Sequence, residues 1–235
     1  MRRDFSDFGV RPSDFFRISD FEFRILTSAM LPQLAYRTWR TTDKRCLWKF
    51  LWNFCAKGAL SVQKFKGRVR RGVYFPPFFH LSIINSCNLR CQGCWVDVDA
   101  PQEKIELADF NRMVNTAKAH GNYFFGLLGG EPLLHPQLSE MLAAHPDCYF
   151  QIFTNGQLVT RSIAEQWRRL GNVSPLVSIE GLEAVSDERR GKKNVFKKTL
   201  RGLENCVRAR LLTGVATSVC QTNIHELLTE DWLRA

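Results

Sequence analysis

From residue 75 onward the chain repeats one unit: a short apolar run, a turn, then apolar residues recurring at helical spacing. The candidate strands are residues 78–84, 123–128, 149–153, 176–179 and 215–219. Between the first two, Leu107, Phe110, Met113, Val114 and Ala117 line one side of a helix that Gly121 ends. Further helices are expected over 137–144, 162–170 and 195–208. Repeated strand–helix units pair their strands in parallel, and short apolar strands suit a sheet buried on both faces. The expected class is α/β. The polar residues of unusual pattern all follow a candidate strand. In a parallel barrel that is the end where ligands bind.

The first of these patterns is Cys87-Asn88-Leu89-Arg90-Cys91-Gln92-Gly93-Cys94. Three thiolates at C-x3-C-x2-C in one loop can hold three irons of a 4Fe–4S cluster and leave the fourth iron open to a small molecule. Three ordinary thiols or a zinc knuckle are the competing readings. Zinc usually takes four ligands, and nothing near the loop fixes a fourth such as His80. Thirty-five residues beyond Cys94 comes Gly129-Gly130-Glu131-Pro132, where glycines let backbone approach a ligand closely. Later strands end in Thr154-Asn155-Gly156, Ser178-Ile179-Glu180-Gly181 and Thr217-Ser218-Val219, and Asp187-Glu188-Arg189-Arg190-Gly191 lies beyond the fourth.

The cysteine loop, the Gly-Gly-Glu-Pro loop and their order resemble the radical S-adenosylmethionine (radical SAM) superfamily over about residues 75–225. The resemblance implies a partial parallel (β/α) barrel. It also implies a 4Fe–4S cluster on Cys87, Cys91 and Cys94, with S-adenosylmethionine chelating the fourth iron through its amino and carboxylate groups. One electron from the cluster then cleaves the sulfonium, and the 5′-deoxyadenosyl radical abstracts hydrogen from a substrate. Gly129, Gly130 and Glu131 would receive the methionine amino group, largely through backbone. Ser178 and Glu180 would line the pocket and accept ribose hydroxyls. Arg190, favoured over Arg189, would pair with the methionine carboxylate, and Thr217 would lie near the adenine. Trp95, after the last cysteine, would shield the cluster from water. The implied partners are an electron donor such as a flavodoxin or ferredoxin and an unidentified substrate. The family's core has six βα units and five are counted here, so the core is expected to be incomplete at its C-terminus. An iron–sulfur or zinc protein without S-adenosylmethionine cleavage, and an inactive fragment, are the alternatives.

Composition narrows the rest. At 235 residues, 45% of them hydrophobic and 24% charged, the chain can bury a substantial core. Its eight cysteines are too unevenly spaced for the disulfide framework of a small secreted domain. Its first residues lack the apolar stretch of a secretory signal. A reducing, cytoplasmic setting is expected, which an oxygen-sensitive cluster also needs. Cys148 and Cys206 read as core residues, and Cys220, at a strand end, lies near the proposed site.

The net charge of +10 falls wholly on residues 1–80, which hold 16 Lys/Arg and 6 Asp/Glu; residues 81–235 hold 17 of each. Residues 1–75 form a basic, mainly helical N-terminal extension, and 76–235 the core. Over residues 46–65, Lys49, Asn53, Lys57, Ser61 and Lys64 make one polar stripe of a helix whose other sides carry Trp48, Leu51, Trp52, Leu60 and Val62. The apolar face is expected to pack on the outside of the barrel, with peripheral contact at a membrane interface as the alternative. The lysines interrupt any span long enough to cross a membrane. No zinc-finger or RNP-type motif accompanies the basic residues, so nucleic acid is not expected.

Overall fold

The computed structural model describes residues 30–234. They fall into two compact units, one ending at Arg40 and one beginning at Thr41. The first contains most of helix α1 (Met30–Thr41). Residues 41–75, grouped with the N-terminal extension on composition, belong to the second unit.

In the second unit, α2 (Lys44–Lys49), a π-helical segment (Phe50–Ala56) and α3 (Lys57–Val69) precede an alternating series. The series is β1 (Phe79–Ser82), α4 (Leu107–Ala119), β2 (Phe124–Leu128), α5 (Leu138–Ala144), β3 (Tyr149–Thr154), α6 (Arg161–Leu170) and β4 (Val173–Ser178). It continues with α7 (Glu183–Arg189), α8 (Val195–Arg208), β5 (Gly214–Ala216), α9 (Ile224–Leu227) and α10 (Glu230–Arg234). Every strand pairs in parallel, in the order β1-β2-β3-β4-β5. Strand order that follows chain order winds the sheet one way, as in a barrel, rather than reversing it as in a doubly wound fold. The result is an open, partial parallel barrel of α/β class.

Alternation along the strands builds the core. Phe125 and Leu127 of β2, with Phe150 and Ile152 of β3, point to the helix side, where they meet Phe110, Val114, Met141, Leu142 and Trp167. Each of these side chains is at most 1% exposed, and burying one is worth about 1.5–3 kcal/mol.

Three differences from the sequence pattern have physical causes. β1 ends at Ser82, short of residue 84, because Ile84 bridges Lys104 and gives its carbonyl to Gly130 N at 2.7 Å. β5 ends at Ala216, short of 219, because Ser218 N donates to the Glu180 carboxylate at 3.1 Å and Asn223 Nδ2 takes the Ser218 carbonyl at 2.9 Å. β4 starts earlier than expected, at Val173; Pro175 reads as a strand breaker but precedes the β5 ladder, which begins at Leu176.

The largest correction concerns residues 44–69. The expected single helix is interrupted by the π-helical segment, and its amphipathic face is reversed. Asn53 and Ser61 are 3% and 1% exposed, whereas Trp48 is 64% and Trp52 53% exposed. The polar stripe meets the N-terminal ends of the strands, where backbone carbonyls rather than apolar side chains are presented. Lys49 Nζ donates to the Pro146 and Leu170 carbonyls at 3.1 and 2.9 Å, and Lys57 Nζ to that of Asp147 at 2.8 Å. Asn53 Nδ2 donates to the carbonyls of Pro146 and Cys148, and Ser61 Oγ to that of Pro77 at 2.8 Å. Phe50 and Phe54 pack beside this stripe on Tyr149 and Phe124. The Trp-bearing face is not the one packed on the barrel. Among the described residues no helix is long and apolar enough to cross a membrane.

This arrangement predicts an inverted mutational profile. Asn53→Ala takes the side-chain donor from the Cys148 carbonyl and leaves that of Pro146 to Lys49 alone, and should cost about 1–3 kcal/mol. Trp48→Ala should stay within about 0.5 kcal/mol, as exposed substitutions do. Thermal melts of the two variants check this; equal effects would contradict it.

Candidate active site

The cysteine loop follows β1 and is held from two sides. Gly130 N bonds the Ile84 carbonyl, and Glu131 N bonds the Ser86 carbonyl at 2.8 Å, one residue before Cys87. The approach is so close that a Cβ on Gly129 would strike the Ile84 carbonyl oxygen, and one on Gly130 that of Ser86. Gly129 also has φ of +149°, a backbone that side chains resist. On the far side, Gln92 N bonds the Arg189 carbonyl at 2.7 Å. The Gly-Gly-Glu loop thus fixes where the cysteine loop begins, and the end of α7 fixes its middle.

Cys87 and Cys91 are half-buried and Cys94 is exposed. A cavity of about 270 Å³ lies in this loop, and all three cysteines line it together with Leu89, Arg90 and Val96. Burial pushes the Cys87 thiol above its ordinary value, as does the nearby Glu131. Burial also raises Cys91, against the opposing pull of Arg190. Among the described residues no three His, Cys, Asp or Glu side chains already stand at metal-ligating positions. The residues nevertheless fit a cluster by donor chemistry: three soft sulfur donors around one hollow, with an arginine beside one of them. Trp95, expected to shield the cluster, is 70% exposed. A larger, apolar hollow of about 330 Å³ lies between β1 and α4, with Arg112 its only charged lining residue among the described residues.

The two carboxylates assigned to the pocket are engaged within the protein. Glu131 is fully buried. Its side chain accepts from Thr154 Oγ1 at 2.7 Å, Asn155 N at 2.8 Å and Leu133 N at 3.2 Å. Burial holds its carboxyl above the ordinary carboxylate range despite these donors. Both oxygens are committed to tying the second strand end to the third, so an ammonium at this loop would meet backbone rather than the Glu131 side chain. Glu180, 7% exposed, accepts from Arg190 Nη2 at 2.8 Å and from Ser218 N at 3.1 Å. Its second oxygen also stands 3.9 Å from Arg189 Nε. It ties the fourth strand end to the loop after β5. Arg190 is oriented by its Nη2 bond to Glu180, and its Nη1 lies 3.9 Å from Cys91 Sγ.

Ser178 ends β4 opposite Ala216 and is half-buried; Thr217, also half-buried, comes one residue after the end of the neighbouring strand β5. Asp187 caps α8, accepting from Asn194 N and Phe196 N at 2.6 and 2.9 Å. The Asp-Glu-Arg-Arg-Gly stretch is therefore the end of a helix and its junction, not a loop. Cys148 and Cys206 are fully buried, their thiols pushed up to about 12 by burial. Cys220 receives Arg189 Nη1 at 2.6 Å, and its thiol lies below the ordinary value through the Thr222 hydroxyl and that arginine.

Two contacts at the site escaped the sequence reading. Asn88 Oδ1 accepts from Asn155 Nδ2 at 2.7 Å, joining the cysteine loop to the Thr-Asn-Gly turn. Arg189 bonds the cysteine loop through its carbonyl. Asn88 and Asn155 each sit inside a visible motif, but nothing in the spacing pairs residues so far apart.

The family model described as the radical SAM superfamily matches residues 81–228, from β1 through α9. The chain belongs to the radical SAM superfamily. Among curated relatives, it is 27% identical over 157 residues to the sporulation killing factor maturation protein SkfB of Bacillus subtilis, covering 66% of this chain and 38% of that one. It is 30% identical over 146 residues to an AdoMet-dependent heme synthase of Methanosarcina barkeri, covering 60% of this chain and 42% of that one. It thus spans roughly two fifths of the length of these relatives. Among solved structures, SuiB of Streptococcus suis bound to S-adenosylmethionine superposes with a TM-score of 0.57 at 19% identity, over 71% of this chain and 39% of that one. The enzyme anSMEcpe with bound AdoMet gives 0.56 at 19%, over 67% and 46%. These likenesses show the radical SAM fold for the present chain.

If the Gly-Gly loop sets the cysteine loop as described, Gly130→Ala should cost about 1–3 kcal/mol. At this chain length that lowers the melting temperature by about 2–4 °C per kcal/mol. Gly58→Ala, where an added Cβ meets nothing within 4 Å, should instead be neutral or stabilising by up to about 1 kcal/mol. Differential scanning fluorimetry separates the two, and a neutral Gly130→Ala would contradict the clamp.

Proposed function

We propose that this chain is the catalytic core of a radical SAM enzyme. In this reading Cys87, Cys91 and Cys94 hold a 4Fe–4S cluster and S-adenosylmethionine completes the fourth iron. The observation that carries the reading is the hollow lined by all three cysteines beside the Gly129-Gly130 loop. The chemistry supplied when both groups are bound is reductive cleavage to methionine and a 5′-deoxyadenosyl radical, which abstracts hydrogen from a substrate.

The chain's own residues position and exclude. Backbone of Gly129, Gly130 and Glu131 offers polar contacts to the methionine amino group, while the Glu131 side chain keeps that loop in register with β3. Arg190, pinned by Glu180, places positive charge beside Cys91. This favours the thiolate that an iron ligand requires. It also leaves the guanidinium close enough to the hollow to meet the methionine carboxylate after a change of partner. Ser178 and Thr217, on adjacent strand ends, offer hydroxyls toward the adenosine half. The exposed Cys94 gives an electron donor such as a flavodoxin or ferredoxin short access to the cluster. The eight free cysteines and the oxygen sensitivity of such a cluster suit a reducing compartment, the cytoplasm. Any peripheral membrane contact made by α2 and α3 would lie at the strand N-termini, opposite this chemistry. One related structure is of SuiB bound to its precursor peptide; a peptide is the substrate class to test first.

Anaerobic reconstitution with iron and sulfide, reduction with dithionite and assay for 5′-deoxyadenosine test the reading. The expected result is product from the wild type, with Cys91→Ala losing product and most of its bound iron. A protein that binds iron or zinc yet leaves S-adenosylmethionine uncleaved would support the metal-binding alternative.

A further inference from the structure

The reversed helix leaves an apolar face that the fold does not use. Trp48, Leu51, Trp52, Leu60 and Val62 are between 40% and 64% exposed, although burying such side chains is normally what an amphipathic helix achieves. Trp48 and Trp52 stack in parallel, ring centroids 6.3 Å apart. Lys66 and Arg70 continue from Val62 at four-residue intervals, on the same side of α3, and both are exposed. Residues 41–80 hold nine Lys/Arg and one Asp/Glu, so eight of the ten excess positive charges sit in this part of the chain. From Lys44 to Val69 the helical run is roughly 35–40 Å long. Its inner side is fixed to the strand N-termini by the donors described above.

We propose that the outward face of α2, the π-helical segment and α3 docks on an anionic lipid bilayer. Three features select a bilayer as the occupant. The face is one long rod, suited to lying in a membrane plane. Its stacked tryptophans are the side chains that settle at the boundary of headgroups and acyl chains. Its basic end, with no acidic neighbour between residues 44 and 80, complements negatively charged headgroups. The rod lies on the membrane rather than in it, since no described helix is long and apolar enough to span. Because it closes the strand N-termini, docking turns the cysteine loop away from the lipid. The enzyme is thereby anchored with its reactive end facing the aqueous phase.

The full chain is pelleted with vesicles of equal parts phosphatidylglycerol and phosphatidylcholine, and with vesicles of phosphatidylcholine alone. Pelleting is expected with the first, weakened by added salt. Trp48→Glu/Trp52→Glu should lower the partition coefficient about tenfold or more, and Lys66→Glu/Arg70→Glu should remove the preference for anionic vesicles. Both pairs are exposed, so their melting temperatures should match the wild type. Should the tryptophan variant fail to fold, fluorescence of the wild type with acyl-brominated lipid decides. Quenching that Trp48→Phe/Trp52→Phe abolishes supports docking, and unquenched fluorescence overturns it. Absence of pelleting overturns the proposal, whether residues 1–29 or a second copy of the chain occupies the face. Pelleting that survives Trp48→Glu/Trp52→Glu overturns it too, because charge alone would explain the binding. Cys91→Ala should pellet as the wild type does, so failure here is independent of failure of the radical SAM reading.

Discussion

The backbone clamp between Gly129-Gly130-Glu131 and Ile84–Ser86 is the contact on which the rest of the site depends. Two main-chain hydrogen bonds draw the chain out of the β1 ladder just before Cys87. Only residues without side chains allow that closeness, since a Cβ at either glycine would meet a carbonyl oxygen. Once β1 is diverted, the three cysteines fall in a loop at the C-terminal end of the sheet instead of continuing a strand. Everything else then serves to hold that loop against its neighbours.

Two buried carboxylates do most of the holding. Glu131 gathers Thr154 and Asn155 from the third strand end, and Glu180 gathers Arg190 and Ser218 from beyond the fourth and fifth. A buried carboxylate is costly unless each oxygen has donors. That cost is what makes the strand ends interdependent: loosening one carbonyl or amide leaves a charge or a dipole without a partner. Asn88–Asn155 closes the network onto the cysteine loop itself. The Glu131 and Glu180 side chains, which look like ligand contacts in the sequence, also frame the site by tying neighbouring strand ends together.

Local patterns were legible in the sequence, and non-local ones were not. The βα order follows from apolar periodicity, and α8 spans Val195–Arg208 as its pattern requires. The cysteine and Gly-Gly-Glu loops stand out because their chemistry is contained in a few residues. Helix α7 was missed because, of its seven residues, only Ala184 and Val185 are apolar, too few for an apolar repeat. The ends of β1 and β5 were overextended because side-chain and loop hydrogen bonds displaced the ladder there. Most instructive is the run from Lys44 to Val69. Polar residues at helical spacing ordinarily face water, but Lys49, Asn53, Lys57 and Ser61 face a row of backbone carbonyls. Nothing local to the helix announces that the surface it will meet is polar.

The central claim, three cysteine ligands around a cluster with one open iron, is tested most directly by Mössbauer spectroscopy of protein reconstituted with iron-57. The account predicts four irons per chain, of which one alone changes its spectrum when S-adenosylmethionine is added. Four irons that stay alike with and without S-adenosylmethionine, or isolated ferric or ferrous ions in place of a cluster, would contradict it.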